Sequence, residues 1–240
     1  MTSPVLHAAP AVIPGGMLAF VPISPDDEPS ALEPTERELA MTMPPVRREA
    51  FIAGRIALRA ALAAVRPALA GSPLLQSPRG APQLPPGTSG SVSHKRDRAV
   101  ALVAPYQEEY VGVDLESRPR RDAELKPSEL RRALAARILT ARERANIQTL
   151  DDVAHRDVTL LHFAIKEAVY KAIDPFVERF VRFTEVELDL DDPYSAGDRE
   201  SGDVRVTPLL AELSRMPLHV EAAWWLENDW IVATAVARRS

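Results

Sequence analysis

Two short stretches hold the residues best suited to chemistry. Val111-Gly112-Val113-Asp114-Leu115-Glu116 offers two carboxylates two positions apart, and Phe163-Ala164-Ile165-Lys166-Glu167-Ala168-Val169-Tyr170-Lys171 offers a third beside two lysines. Together they can supply three carboxylates and a lysine to one divalent cation and its phosphate ligand, as metal-assisted phosphoryl chemistry requires. In the first stretch Val111, Val113 and Leu115 alternate with Gly112, Asp114 and Glu116, so a β-strand would put both acids on one face, with Cα atoms about 6.6 Å apart. That is close enough for both arms to reach one hard, oxygen-seeking cation. An ordinary half-exposed strand with acids on its wet side would show the same pattern.

The second stretch reads as a helix over 158–173. Val158, Leu161, Ile165, Ala168, Val169 and Ala172 form its apolar stripe, and Phe163, Glu167, Tyr170 and Lys171 lie opposite. A solvated face with a Glu167/Lys171 pair at i,i+4 is one account of that side. The wall of a ligand site is the other, since two aromatics flank an acid and a base.

The two stretches in this order, about fifty residues apart, resemble the signature of the 4′-phosphopantetheinyl transferases, in particular the single-chain Sfp-type branch. Pro85-Pro86-Gly87-Thr88-Ser89-Gly90-Ser91-Val92-Ser93-His94 is similar to that family's Pro-x-Gly-x-x-Gly-Ser-x-Ser-His segment, and Arg48 to Leu62 resembles its arginine-bearing coenzyme A helix. The resemblance covers about 48–173. It implies an α+β fold of two similar halves related by pseudo-twofold symmetry, with the site between them. It also implies transfer of 4′-phosphopantetheine from coenzyme A to a serine of an apo acyl or peptidyl carrier protein, releasing 3′,5′-ADP. Asp114, Glu116 and Glu167 would hold Mg²⁺ (or Mn²⁺), and Lys171 would pair with a phosphate oxygen. Lys166 belongs to the same coenzyme A block, and Glu167 or a metal-bound water would be the base. Arg48, Arg55, Arg79, Ser93 and His94 would contact coenzyme A. Two positions depart from the pattern: Lys95 stands where a small residue is usual, and Asp174 where glycine is frequent.

Charge chemistry is consistent with that ligand. A pyrophosphate and a 3′-phosphate call for guanidinium, ammonium or imidazole donors, and Arg48, Arg55 and Arg59 share one face of the Ala-rich helical segment Val46–Val65. A solvated basic face would look the same. Gly87, Gly90 and Ser91 are small enough to let backbone approach a nucleotide. Arg131, Arg132, Arg137, Arg142 and Arg144 could face an acidic carrier helix, or water.

Composition narrows the alternatives. The chain has 240 residues, 46% hydrophobic and 26% charged, with a net charge of −5, which suits a large globular domain or two coupled ones and not a nucleic-acid binder. It has no cysteine, so disulfides, thiolate nucleophiles and cysteine-bound zinc are excluded. No run approaches the ~20 apolar residues of a membrane span, and no leader is evident. The expectation is a cytoplasmic monomer. No Gly-x4-Gly-Lys-Ser/Thr loop supports an ATPase. A non-catalytic coenzyme A module of the same fold and another Mg²⁺-dependent phosphoryl transferase remain as alternatives.

The elements that must position these residues follow from pattern. Strands are expected at Met17–Ile23, Ala99–Ala104 and 111–116. Later strands are expected at Val181–Leu190, Val204–Thr207, His219–Leu226 and Trp230–Ala237, with Glu227-Asn228-Asp229 turning between the last two. Between them, an acidic loop runs to Pro34, residues 71–90 form turns and loop, a helix begins at Ser128, and the 158–173 helix stops near Asp174-Pro175. The expected halves are 1–107 and 108–240, with the boundary near Pro105–Glu109.

Overall fold

The long Ala-rich segment becomes helix because it has strong helix formers at every turn and proline only where its missing N–H costs nothing, at the start. In the computed structural model this helix, α2, spans Pro45–Val65, preceded by the shorter α1, Pro34–Met41. The structure describes residues 3–25, 29–106, 108–120, 123–190, 201–210 and 217–240; residues 26–28 of the expected acidic loop lie outside these. The chain forms two compact units, Met1–Leu115 and Glu116–Ser240.

In the first unit four strands, β1 (Val5–Ala8), β2 (Met17–Pro22), β3 (Thr88–Lys95) and β4 (Arg98–Pro105), make an antiparallel sheet in the order β1-β2-β4-β3. Helix α2 lays Ala53, Ala57, Leu58, Ala61 and Leu62 on Ala19, Val21, Ala99, Ala101 and Val103. Small residues on both sides let helix and sheet approach closely. Arg96, at φ 54, turns β3 into β4. The sequence pattern does not show β1 and α1, both short and bounded by proline, or β3, which begins at Thr88 inside the 71–90 stretch expected as turns and loop.

The second sheet runs β5-β9-β8-β7-β6, with β5 at Glu109–Ser117, β6 at Val186–Leu190, β7 at Ser201–Pro208, β8 at Leu218–Glu227 and β9 at Trp230–Arg239. Asn228, at φ 56, makes the β8–β9 turn where a turn was expected. Across this sheet packs α5, Asp152–Val177, burying Leu161, Ile165, Ala168, Val169 and Ala172 of the expected stripe against Val220, Ala222, Ile231, Ala233 and Ala235. Val158, also of that stripe, joins Ala135 and Ile138 of α3 (Ser128–Ile138), Leu139 just after it and Ile147 of α4 (Ala141–Ile147). Each unit is thus a long helix on an antiparallel sheet, the repeated α+β plan.

Three boundaries differ from expectation for local physical reasons. Helix α5 starts six residues early because Asp151 caps it, accepting from the Val153 and Ala154 N–H groups at 2.9 Å each. It runs through Pro175 because a proline in the last turn removes only one bond, while Glu178 N–H still reaches the Asp174 carbonyl and Glu178 closes the helix in the left-handed region at φ 52. The division between units falls inside β5 because Ser89 Oγ and Ser91 Oγ of β3 accept from the Val111 and Val113 N–H groups at 3.1 Å, tying the first part of β5 to the first unit.

The glycines of the 85–94 segment have separate uses. Gly87 adopts φ 82 with open space around its Cα, a turn position. Gly90 is a close approach: a Cβ there would stand 2.8 Å from both the Leu102 carbonyl and Leu84 Cδ2. The room expected for a nucleotide at Gly90 is filled by the protein itself. Gly90→Ala is expected to cost about 1–3 kcal/mol, as overpacking against fixed backbone does, read as a lower urea midpoint; an unchanged midpoint would show that Leu84 and β4 yield freely.

Candidate active site

Strand β5 delivers Asp114 and Glu116 to one face, and both are buried, at 5% and 6% exposure. They do not sit on a wet strand face. Ser93 Oγ of β3 donates to Asp114 Oδ1 at 2.7 Å, so Ser89, Ser91 and Ser93 form a hydroxyl ladder whose first two members hold β5 backbone and whose third holds its carboxylate. The alternating serines were visible in the sequence as a period of two; their role needed the neighbouring strand. His94, the next residue, points to the other face and is exposed.

Helix α5 presents Glu167 and Lys171 one turn apart, both half-buried, on the side away from the sheet. Tyr170 lies between them in sequence, its ring 6.3 Å from that of Phe180. Phe163 has a different fate. It packs on Phe183, ring centroids 5.3 Å apart, beside the α3–α4 cluster, and so belongs to the core more than to a ligand wall.

Lys166 also differs from the residue expected. Its side chain is fully buried, and Nζ makes an ion pair with Glu143 Oε2 at 2.6 Å and donates to the Ile138 and Phe183 carbonyls at 2.9 and 3.0 Å. An ammonium has three N–H donors; all three are spent inside the protein, which leaves none for a phosphate. Glu143 is equally committed, accepting from Leu188 N–H through Oε1 at 2.7 Å and from Thr140 N–H through Oε2 at 2.7 Å. Thr140-x-x-Glu143 is a capping box for α4, a signal present in the sequence and not used there.

The cations of α2 are partly committed too. Arg48 donates to the Met43 carbonyl at 3.0 Å. Arg55 lies 4.2 Å over the Phe51 ring and donates to the Leu75 carbonyl at 3.1 Å; burial pushes its pKa down to about 10, against the pull of Glu36. Arg59 reaches Glu36 at 2.6 Å. Arg79 is exposed on a tight turn. Among the described residues no three His, Asp or Glu side chains are grouped to hold a metal ion. The structure supplies two of the expected ligands, Asp114 and Glu116, on one strand face, and carries Glu167 on α5.

Two family models match the chain. The 4′-phosphopantetheinyl transferase N-terminal domain covers residues 35–104, and the 4′-phosphopantetheinyl transferase superfamily covers 110–234. The chain belongs to the 4′-phosphopantetheinyl transferase superfamily. Residues 105–109 lie between the two matches. The transferase is 33% identical over 222 residues to 4′-phosphopantetheinyl transferase Svp of Streptomyces mobaraensis, spanning 89% of this chain and 81% of that one. It is 28% identical over 209 residues to 4′-phosphopantetheinyl transferase Npt of Nocardia iowensis, spanning 85% and 88%. Two solved structures, a holo-ACP-synthase from Plasmodium yoelii and an ACPS-CoA complex from Chronobacterium ammoniagenes, each match 55% of the transferase, with TM-scores of 0.36 at 16% and 19% identity, and are covered to 97% and 98%. No helix among the described residues is long and apolar enough to cross a membrane.

His162 of the transferase lies wholly inside, Nδ1–H donating to the Val158 carbonyl at 2.9 Å. Burial holds its pKa below the ordinary value; Glu143 and the Val158 carbonyl oppose that, and Lys166 reinforces it. An unfolded imidazole titrates near about 6.5, so below that pH the unfolded chain binds the extra proton and stability falls as pH falls. Urea midpoints should therefore decline from about pH 7 to about pH 5, and less steeply in His162→Gln. Parallel declines in the two proteins would assign the effect to other groups.

Proposed function

We propose that this transferase moves 4′-phosphopantetheine from coenzyme A to a serine hydroxyl of an apo acyl or peptidyl carrier protein and releases 3′,5′-ADP, with Asp114, Glu116 and Glu167 holding Mg²⁺. The observation that carries the metal assignment is the pair of buried carboxylates on one face of β5. Their donors are all oxygen, their spacing suits one hard cation, and a buried anionic pair is stabilised by one. When bound, the ion neutralises charge on the pyrophosphate.

The remaining steps belong to side chains. Lys171 pairs with a phosphate oxygen, and Arg48, Arg55, Arg79 and His94 bind the coenzyme A phosphates and nucleotide. The serine oxygen forms a bond to the pantetheine-bearing phosphorus while the bond from that phosphorus to the oxygen of 3′,5′-ADP breaks. The serine proton passes to Glu167, which α5 holds half-exposed one turn from Lys171. Lys166, its three donors used within the protein, does not bind the phosphates.

Intact-mass analysis of an apo carrier incubated with the transferase, coenzyme A and Mg²⁺ tests the reading. One added phosphopantetheine is expected, prevented by EDTA and restored by excess Mg²⁺. Asp114→Ala and Glu167→Ala are expected to remain folded and to lose at least about 10²-fold in turnover. Full activity in both would remove the metal assignment, and coenzyme A binding with no transfer to any carrier would favour a non-catalytic module.

Carrier recognition is assigned to α3. Of the five arginines around it, Arg131 pairs with Asp152, Arg142 with Glu187, and Arg144 donates to the Leu139 carbonyl. Arg132 and Arg137 stay exposed, with Leu130 and Leu134 at 59% and 47% exposure. Attraction between exposed charges speeds encounter and is screened by salt. Reversing Arg132 and Arg137 to Glu should raise the carrier KM and flatten its salt dependence. Unchanged salt dependence would leave these arginines as solvated surface.

A further inference from the structure

The segment between α2 and β3 has no ladder of its own, yet its backbone is held at Ala70, Ser72, Leu74 and Leu75 by charged side chains from α1 and α2. Glu36 is completely buried, and Oε1 accepts from Leu74 N–H at 2.6 Å and from Arg59 at 2.6 Å, while Oε2 accepts from Glu33 N–H at 3.2 Å. The other guanidinium nitrogen of Arg59 donates to the Ala70 and Ser72 carbonyls. Arg55 adds the Leu75 carbonyl. That same carbonyl accepts from Gln83 N–H at 2.9 Å and so closes the root of a small turn. Above it, Gln76 bridges Pro82, Ser77 N–H reaches the Ala81 carbonyl at 2.8 Å, and Gly80 N–H reaches Ser77 at 2.9 Å. Pro78, Arg79 and Gly80 form the exposed tip.

We propose that Glu36 and Arg59 are positioning residues for coenzyme A binding: they clamp the root of the 75–83 turn and so fix where its tip presents Arg79. This rests on the reading of Arg79 as a nucleotide or phosphate contact. The physical case is the cost. Glu36 is completely buried and Arg59 half-buried; an ion pair withdrawn this far from water is seldom the cheapest filling, and an irregular segment rich in proline and glycine could satisfy its backbone from water at the surface. Using a buried carboxylate and a half-buried guanidinium to hold Ala70, Ser72 and Leu74 removes the freedom of a segment that has Leu74 as its only fully buried side chain. A tip so anchored is ordered before ligand arrives and loses less entropy on binding.

The test is direct titration of coenzyme A into folded protein, beside steady-state kinetics. Glu36→Gln keeps an acceptor for Leu74 while removing the charge, and Arg59→Lys keeps the charge while removing the planar fork. Both, and Arg79→Ala, should weaken coenzyme A binding by about tenfold; in Glu36→Gln and Arg59→Lys, kcat at saturating coenzyme A and the carrier KM should be unchanged. Amide exchange at Leu74 and Gln83 should quicken in Glu36→Gln. The double variant Glu36→Gln/Arg79→Ala should bind no more weakly than Arg79→Ala alone, because the two act through one contact. Full affinity in Glu36→Gln and Arg59→Lys alongside a weakened Arg79→Ala, or additive losses in the double variant, would overturn the clamp. Full affinity in Arg79→Ala would overturn the assignment of Arg79, and a parent protein that binds no coenzyme A would remove the reading beneath both.

Discussion

An ionised carboxylate taken out of water must meet hydrogen-bond donors or opposite charge, and among the described residues four carboxylates are buried: Glu36, Asp114, Glu116 and Glu143. Much of the structure is arranged around where those four go. Glu36 gathers α1, α2 and the 70–76 segment; Glu143 gathers α4, α5 and β6 through Lys166, Thr140 and Leu188. In each unit one buried acid ties irregular chain to the long helix. The remaining two stand together on β5, with Ser93 of β3 donating to Asp114.

The long helices make this arrangement possible. Alanines on α2 and α5 let each helix lie close to its sheet, and the apolar contact is extensive enough to offset the desolvation of ionised groups at its margins. Lys166 illustrates the balance. Burial drives its pKa down, and Glu143 works against that, so the ammonium is kept in place by three acceptors supplied by α3, α4 and the chain before β6. Five residues on, Lys171 stands on the half-exposed side of the same helix.

Much of the fold was legible in the residues. The 3.6-residue stripe of α5, the two-residue alternation of β5 and the strand-like apolar runs of β8 and β9 depend on neighbours close in the chain, and the elements follow them. The boundaries that moved were set by one or two hydrogen bonds each: the Asp151 cap, the bond past Pro175, and the two serine hydroxyls that hold the start of β5. The signals for the first and third were present, as an Asp-Asp pair before an apolar run and as serines at every second position. What each would bond was decided by a partner in space, or by how much the surrounding packing could compensate.

The family, its transferase chemistry and the order of its motifs were determined by the sequence itself, because they depend on residue types at fixed local spacing. Which charged residues reach solvent was decided only by tertiary structure. Lys166 and Glu167 are neighbours in the same motif, yet one is sealed among α3, α4 and β6 and the other is half-exposed. Arg55 and Arg59 look like phosphate ligands on a helical face and are instead partly spent on backbone carbonyls 11 to 20 residues away. The physical reason is the same in both cases: periodicity says which way a side chain leaves its own element, but burial depends on what other element arrives to cover it.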